Sequence, residues 1–148
     1  MRLALTLYSM IACAGLEASD EMLLMAIGIV ESRLDHLAVG DGGRALGAYQ
    51  MHSEAWQDAN ALLKSQGRRT YKRNAWCDSA VQKYMASAYL EVIRTRLRGA
   101  GYPYPTDAQL AACWNLGPGG AIRNGLPLTD YAKRVVSIRQ SLPCDFRK

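Results

Sequence analysis

Residues 22–34 run Met-Leu-Leu-Met-Ala-Ile-Gly-Ile-Val-Glu-Ser-Arg-Leu, apolar on almost every side. A helix that is hydrophobic all round has no face to offer water and must be buried. This segment therefore predicts the central helix of the fold. One residue does not belong on it. Glu31 lies one turn after Ile27, two after Leu24 and one before Leu34, on an apolar stripe. A carboxyl placed against an apolar wall has its charged form disfavoured. A carboxyl that keeps its proton near neutral pH can act as a general acid. The plainer account is a buried glutamate satisfied by Arg33 or Arg44, because structural ion pairs perturb carboxyls too.

The rest of the chain reads as mostly helical, with Leu, Met and Ala dominating its long elements, so any sheet must be small. A first helix fits roughly residues 3–15, with Leu3, Leu7, Met10, Ile11 and Ala14 on one face. Ser19 suits the N-cap of the central helix, and Asp20 and Glu21 suit its first turn, over about residues 20–34. Residues 36–47 carry four glycines and predict a loop or a few short strands. Helices are expected over about 50–64 and about 79–98, the second ended by Gly99 and Gly101, with a basic surface loop from Gly67 to Asn74 between them. Thr106-Asp107-Ala108-Gln109 is a capping box, opening a helix through Trp114 that Gly117-Pro118-Gly119-Gly120 should break. A last helix starts near Thr129 or Asp130 and stops before Pro143.

The 148 residues suit one domain with a real core. The net charge of +5 hides an asymmetry: residues 1–60 hold three basic and eight acidic residues, residues 61–148 fifteen and five. A basic half suits a polyanionic partner such as nucleic acid, acidic lipid or bacterial wall, or is simply a solvated face. The basic residues are spread over several elements without regular aromatic interleaving, which argues against nucleic acid. Cys13, Cys77, Cys113 and Cys144 lack C-x2-C spacing, and His36 and His52 are the only histidines, so no metal or cofactor is expected. The cysteines permit two disulfides in any of three pairings, or four small buried hydrophobes. Arg2 and the apolar residues 3–14, ending Ala12-Cys13-Ala14, imitate a short signal peptide, but the helical spacing favours a structural helix. No segment is long and apolar enough for a convincing membrane span.

Three segments carry chemistry. Glu31-Ser32 is the first. The second is Ala38-Val39-Gly40-Asp41-Gly42-Gly43-Arg44-Ala45-Leu46-Gly47-Ala48-Tyr49-Gln50-Met51, whose exposed backbone and Gln50 amide could hydrogen-bond a sugar. It is neither a P-loop nor a dinucleotide fingerprint, and Asp41 would repel phosphate. Taken alone it is a turn and a strand, with Asp41 a turn-forming residue among glycines. The third is Trp114-Asn115-Leu116-Gly117-Pro118-Gly119-Gly120, which alone is only a helix end with a turn.

In that order the three segments resemble the goose-type lysozyme and lytic transglycosylase group of the lysozyme superfamily. The likeness runs over roughly residues 7–140: Glu31-Ser32, Ala38-Val39, Gly47 to Gln50, Trp114 to Gly119, and Tyr131-Ala132-Lys133-Arg134-Val135. It implies a mainly α, lysozyme-like α+β fold in one domain, the buried helix carrying the acid and a small irregular β or loop region after it. It also argues against removal of residues 1–14. The departures are Gly40 where the family has serine, a slightly longer loop to Gly47, Ala48-Tyr49 for Leu-Met, and Leu116 for Ala. The Gly-Asp-Gly-Gly wording is also similar to invertebrate-type lysozymes, which place a second catalytic aspartate in this loop, near Asp41.

The resemblance implies cleavage of the β-1,4 bond between N-acetylmuramic acid and N-acetylglucosamine in peptidoglycan, with Glu31 protonating the glycosidic oxygen. A lytic transglycosylase then traps the cationic centre with the muramyl 6-hydroxyl. A lysozyme instead needs a second carboxylate, as nucleophile at about 5 Å or as base for water at about 6.5–9.5 Å. Asp41 is the first candidate and Asp35 the second. Gln50 and Asn115 are expected to position sugar with Ser32 nearby, Tyr49 to line the groove, and Tyr131 to lie near Glu31. The implied partner is the peptidoglycan glycan strand, with no nucleic acid and no stable membrane insertion. A monomer is expected, acting in the periplasm or at the cell wall, whether free, in a phage particle or with a secretion machine. Two rivals stand beside this one: a wall-binding module without turnover, and a basic nucleic-acid-binding helical domain.

Overall fold

The computed structural model describes residues 19–143, so the expected first helix and the signal-like segment lie outside the described residues, as do Cys13 and Cys144. The described chain is mainly α, with one two-stranded antiparallel sheet. Helix α1 covers residues 19–32 and is followed by strands β1 (Val39–Gly40) and β2 (Ala45–Leu46). Helices α2 (Ser53–Ser65), α3 (Ser79–Gly99), α4 (Asp107–Leu116), α5 (Pro118–Arg123) and α6 (Asp130–Ser141) complete it. Short 3-10 turns occupy Asp41–Gly43 and Arg73–Cys77.

Helix α1 is the buried element its composition predicts: Leu23, Leu24, Ala26 and Ile27 are at most 2% exposed. Polar ties at its rim fix it between α3 and α6. Glu21 pairs with Lys83 at 2.8 Å, Asp20 pairs with Arg94, and Arg139 donates to Ser19 Oγ at 2.9 Å. Ser19 is thus already helical and serves α6 as an acceptor. The helix stops at residue 32 rather than 34, because Arg33 and Leu34 both take left-handed backbone, φ 59° and 64°. Glu31 therefore stands in the last turn, where the partial negative charge of a helix C-terminus further disfavours a carboxylate.

The long helix α3 buries more than a single stripe. Val81, Met85, Ala88 and Val92 face the core, and so do Tyr89, Leu90, Ile93 and Leu97. Asp78 caps it by accepting from the amides of Ala80 and Val81. Both halves of the Thr106–Gln109 capping box form, and Thr129 caps α6 through the amide of Ala132. One expectation needs correction: residues 117–120 do not simply break the chain. Gly117 alone does, at φ 72° and ψ 144°, and Pro118 then opens α5, since proline suits the first helical position. The basic loop is also not wholly solvated. Arg73 turns inward and donates to the carbonyls of Arg44 at 2.6 Å and Met51 at 3.4 Å. Cys77 is exposed and Cys113 buried, both as free thiols. Burial pushes the Cys113 thiol up to about 11, as fits a packed hydrophobe.

Candidate active site

The sheet after α1 is a small platform for side chains. Val39 pairs with Leu46 and Gly40 with Ala45. The chain then turns through residues 47–50 and comes back, Leu46 and Met51 exchanging backbone bonds of 3.3 and 3.1 Å. Met51 is turned into the core, while Gln50, closing the turn, and His52, just before α2, both line the same pocket.

Polar groups hold this platform in place. The buried Gln82 of α3 accepts from the Ala48 amide at 2.8 Å and donates to the carbonyls of His36, at 2.7 Å, and Trp76. A Cβ at Gly47 would meet the Gln82 amide group at 2.5 Å, and Gly47 has φ 76°, so glycine is required there on two grounds. The Gln50 side chain donates to Gly47 O at 2.9 Å and Ala38 O at 3.3 Å, closing the turn on itself. It lies against Gly40, where any Cβ would collide with its oxygen. Ser32 Oγ donates to Ala48 O at 2.8 Å, joining the end of α1 to the turn.

Asp41 and Gln50 both hold left-handed backbone, φ 49° and 47°. Such conformations cost of order 1–3 kcal/mol each and persist where the surroundings impose them, often at functional sites. The Asp41 side chain is not used as a local turn former. Its Oδ2 lies 2.8 Å from His52 Nε2 across the loop. Asp35 is the turn former instead, accepting from the Leu37 amide at 2.9 Å, and it is not among the residues lining the pocket.

The pocket is open, about 160 Å3, with mainly polar walls. Glu31 enters it from α1, Asp41, Ala45, Gln50 and His52 from the hairpin region, and Trp114 and Asn115 from the end of α4. Tyr131 of α6 stands behind Glu31 and donates its hydroxyl to Oε1 at 2.7 Å. The Tyr131 hydroxyl is itself pushed up by burial and by the Glu31 charge, so it stays a donor. Glu31 is half-buried, and loss of hydration raises its carboxyl above the ordinary glutamate range. The Tyr131 bond opposes that rise, the Asp41 charge adds to it, and His52 opposes it. Desolvation is the largest of these effects, so Glu31 tends toward the protonated form.

Of the residues singled out in the sequence, Glu31, Asp41, Gln50 and Asn115 meet at one pocket, with Tyr131 bonded to Glu31. Asn115 is exposed, lines the pocket, and its side chain bonds to no other described residue, which leaves its amide free for a ligand. Tyr49 does not reach this pocket. It packs on the core at 8% exposure, edge-on to Trp114 with ring centres 6.5 Å apart, and lines a neighbouring pocket beside Leu34, His36 and Lys83 instead. Ser32 is likewise engaged behind the site. Sequence reasoning missed His52 as a site residue and missed Gln82 as its support. Nothing local in the sequence marks His52, the residue just before α2.

Chemically, the arrangement offers a proton donor in a desolvated niche, a second carboxylate facing the same space, and an amide arm to orient a ligand. Among the described residues, no three His, Cys, Asp or Glu side chains gather as a metal site, and no helix is long and apolar enough to cross a membrane. No family model, curated protein or solved structure matches the chain.

Proposed function

We propose that the chain is a peptidoglycan-cleaving glycosidase of the lytic transglycosylase or muramidase kind, acting at the cell wall on the β-1,4 bond between N-acetylmuramic acid and N-acetylglucosamine. The observation that carries this reading is Glu31: a carboxyl held up by burial, steadied by Tyr131, and facing a pocket that also holds Asp41. A buried helix ending in the acid, a small hairpin after it and a helical remainder also suit a lysozyme-like layout. Glu31 protonates the leaving oxygen as the glycosidic bond breaks. Asn115 orients the sugar through its free amide, Trp114 supplies an apolar wall, and Gln50 holds the loop from which Asp41 and His52 face the substrate.

Digestion of purified sacculi, with mass spectrometry of the soluble muropeptides, tests the reading. Glu31→Gln keeps the shape and the Tyr131 contact but has no acidic proton, so release should fall roughly 10²–10⁴-fold. Unchanged release would sink the assignment. Binding to sacculi with no muropeptide released by the unaltered protein would indicate a binding module. Salt-sensitive binding to DNA or RNA without wall cleavage would indicate a nucleic-acid partner.

A further inference from the structure

The pocket contains one side chain that the proposed chemistry has not used. His52 immediately precedes α2, reaches the pocket beside Gln50, and places Nε2 2.8 Å from Asp41 Oδ2. Both side chains are well exposed, at 43% and 57%. An exposed pair of this kind contributes little to stability. What the contact does is orient. Asp41 sits on a left-handed backbone that points its carboxyl across the loop, and His52 is the one described side chain bonded to that carboxyl. An ionised carboxylate only accepts, so with Asp41 ionised the hydrogen in this bond sits on Nε2. One Asp41 oxygen is then held, the other has no partner among the described side chains, and Asp41 lines the same pocket as Glu31.

We propose that His52 is the positioning residue of a second catalytic carboxylate, holding Asp41 so that its free oxygen orients an attacking water, and that the site therefore releases reducing ends. This rests on the glycosidase reading. A transglycosylase, which traps the cationic centre with the substrate's own hydroxyl, has no need of an anchored second carboxylate; a hydrolase does. The step balances as addition of one water. Glu31 gives its proton to the glycosidic oxygen, which leaves with the electron pair of the C1–O bond. A lone pair of the water oxygen forms the new bond to C1, and the water's proton passes to the free oxygen of Asp41. Asp41 then returns a proton to solvent and Glu31 regains one.

The test compares the unaltered protein with His52→Ala, His52→Asn, Asp41→Asn and the Asp41→Asn, His52→Ala pair on purified sacculi. It scores kcat, KM and the ratio of reducing to 1,6-anhydro ends, with melting curves to confirm folding. The unaltered protein should give reducing ends. His52→Ala should lower kcat roughly 10- to 100-fold, less than the ~10²–10⁴-fold of a general base itself, with little change in KM and a larger anhydro share. His52→Asn, which still offers an N–H, should recover part of the loss, and His52→Ala should add nothing on top of Asp41→Asn. Glu31-dependent release that is unchanged in His52→Ala, or anhydro ends from the unaltered protein, would overturn the role of His52 while leaving the glycosidase reading intact. No muropeptide from the unaltered protein would overturn both.

Discussion

Leu110 in α4 and Gln82 in α3 are both almost wholly buried, at 0% and 3% exposure, yet they hold different parts of the molecule together. Around Leu110 the neighbours are apolar: Ala111, Ala112, Cys113, Val135 and Ala121 belong to the same core, which joins α4 to α5 and α6. Around Gln82 the partners are three backbone groups: the Ala48 amide and His36 carbonyl, on either side of the strands that carry half the site, and the Trp76 carbonyl of the turn before α3. The interior of the helical body is thus held by non-directional burial, which tolerates approximate shapes, with polar ties only at its rim. The hairpin is held by directional bonds to backbone atoms, together with left-handed residues at Asp41 and Gln50. Glu31, Trp114, Asn115 and Tyr131 come from the first region, Asp41, Gln50 and His52 from the second. A rigid body supplies the acid, and a small polar platform supplies what faces it.

The largest effect should come from the body. Leu110→Ala deletes a fully buried side chain and should cost about 2–5 kcal/mol, read as a lower midpoint in urea with an unchanged slope. Next in size is Gln82→Leu, which keeps the volume but leaves the buried Ala48 amide and two carbonyls without their partner. Its expected cost is about 1–3 kcal/mol. The two variants should differ in kind as well as size. Hydrogen exchange should show Leu110→Ala lowering protection throughout α3, α4 and α6, whereas Gln82→Leu should expose mainly the amides of residues 46–51. Equal loss of protection in α4 and in the hairpin of Gln82→Leu would show that the two regions are one cooperative unit.

The same contrast explains what the sequence discloses. The helical body is legible because burial imposes a period: the all-apolar run of α1, the stripe of α3, the Thr106–Gln109 box and the Thr129 cap each leave a local mark. Read locally, the site is legible where a carboxylate interrupts such a pattern, as Glu31 does, or where glycines cluster, as around Asp41; Asn115 and Tyr131 stand out only through the order of the segments. Gln82 has no such mark, because a glutamine between Val81 and Lys83 looks like a solvated position until Ala48 and His36, 34 and 46 positions away, fold against it. Tyr49 misleads for a related reason. Its neighbour Gln50 reaches the pocket, but the reversal at Gly47 sends the tyrosine ring into the core. The expected helix runs two residues past the end of α1 because Arg33 and Leu34 are ordinary helix formers, and only their tertiary setting puts them at positive φ.

The smallest effect probes where the two regions meet. Glu31 is desolvated by the body, while Asp41 and His52 act on it from the hairpin, with opposite signs. Its folded-state carboxyl is raised, so both states hold the proton below the ordinary glutamate range and Glu31 costs the fold nothing there. As pH rises through the unfolded value and on to the folded one, the unfolded chain ionises first and wild-type stability falls. Glu31→Gln has no proton to lose, and its amide oxygen still accepts from Tyr131. The melting temperature of Glu31→Gln minus that of the wild type should therefore grow more positive from about pH 4 upward, levelling once the folded carboxyl has ionised. A difference that shrinks with pH would mean that Tyr131 and His52 outweigh desolvation, and that the acid is held ionised. Repeating the series in a Gln82→Leu background sharpens the point. If the hairpin closes the niche, its release admits water around Glu31 and the rise with pH should flatten. If the rise survives unchanged, the helical body alone desolvates the acid, and the hairpin contributes only the groups that face it.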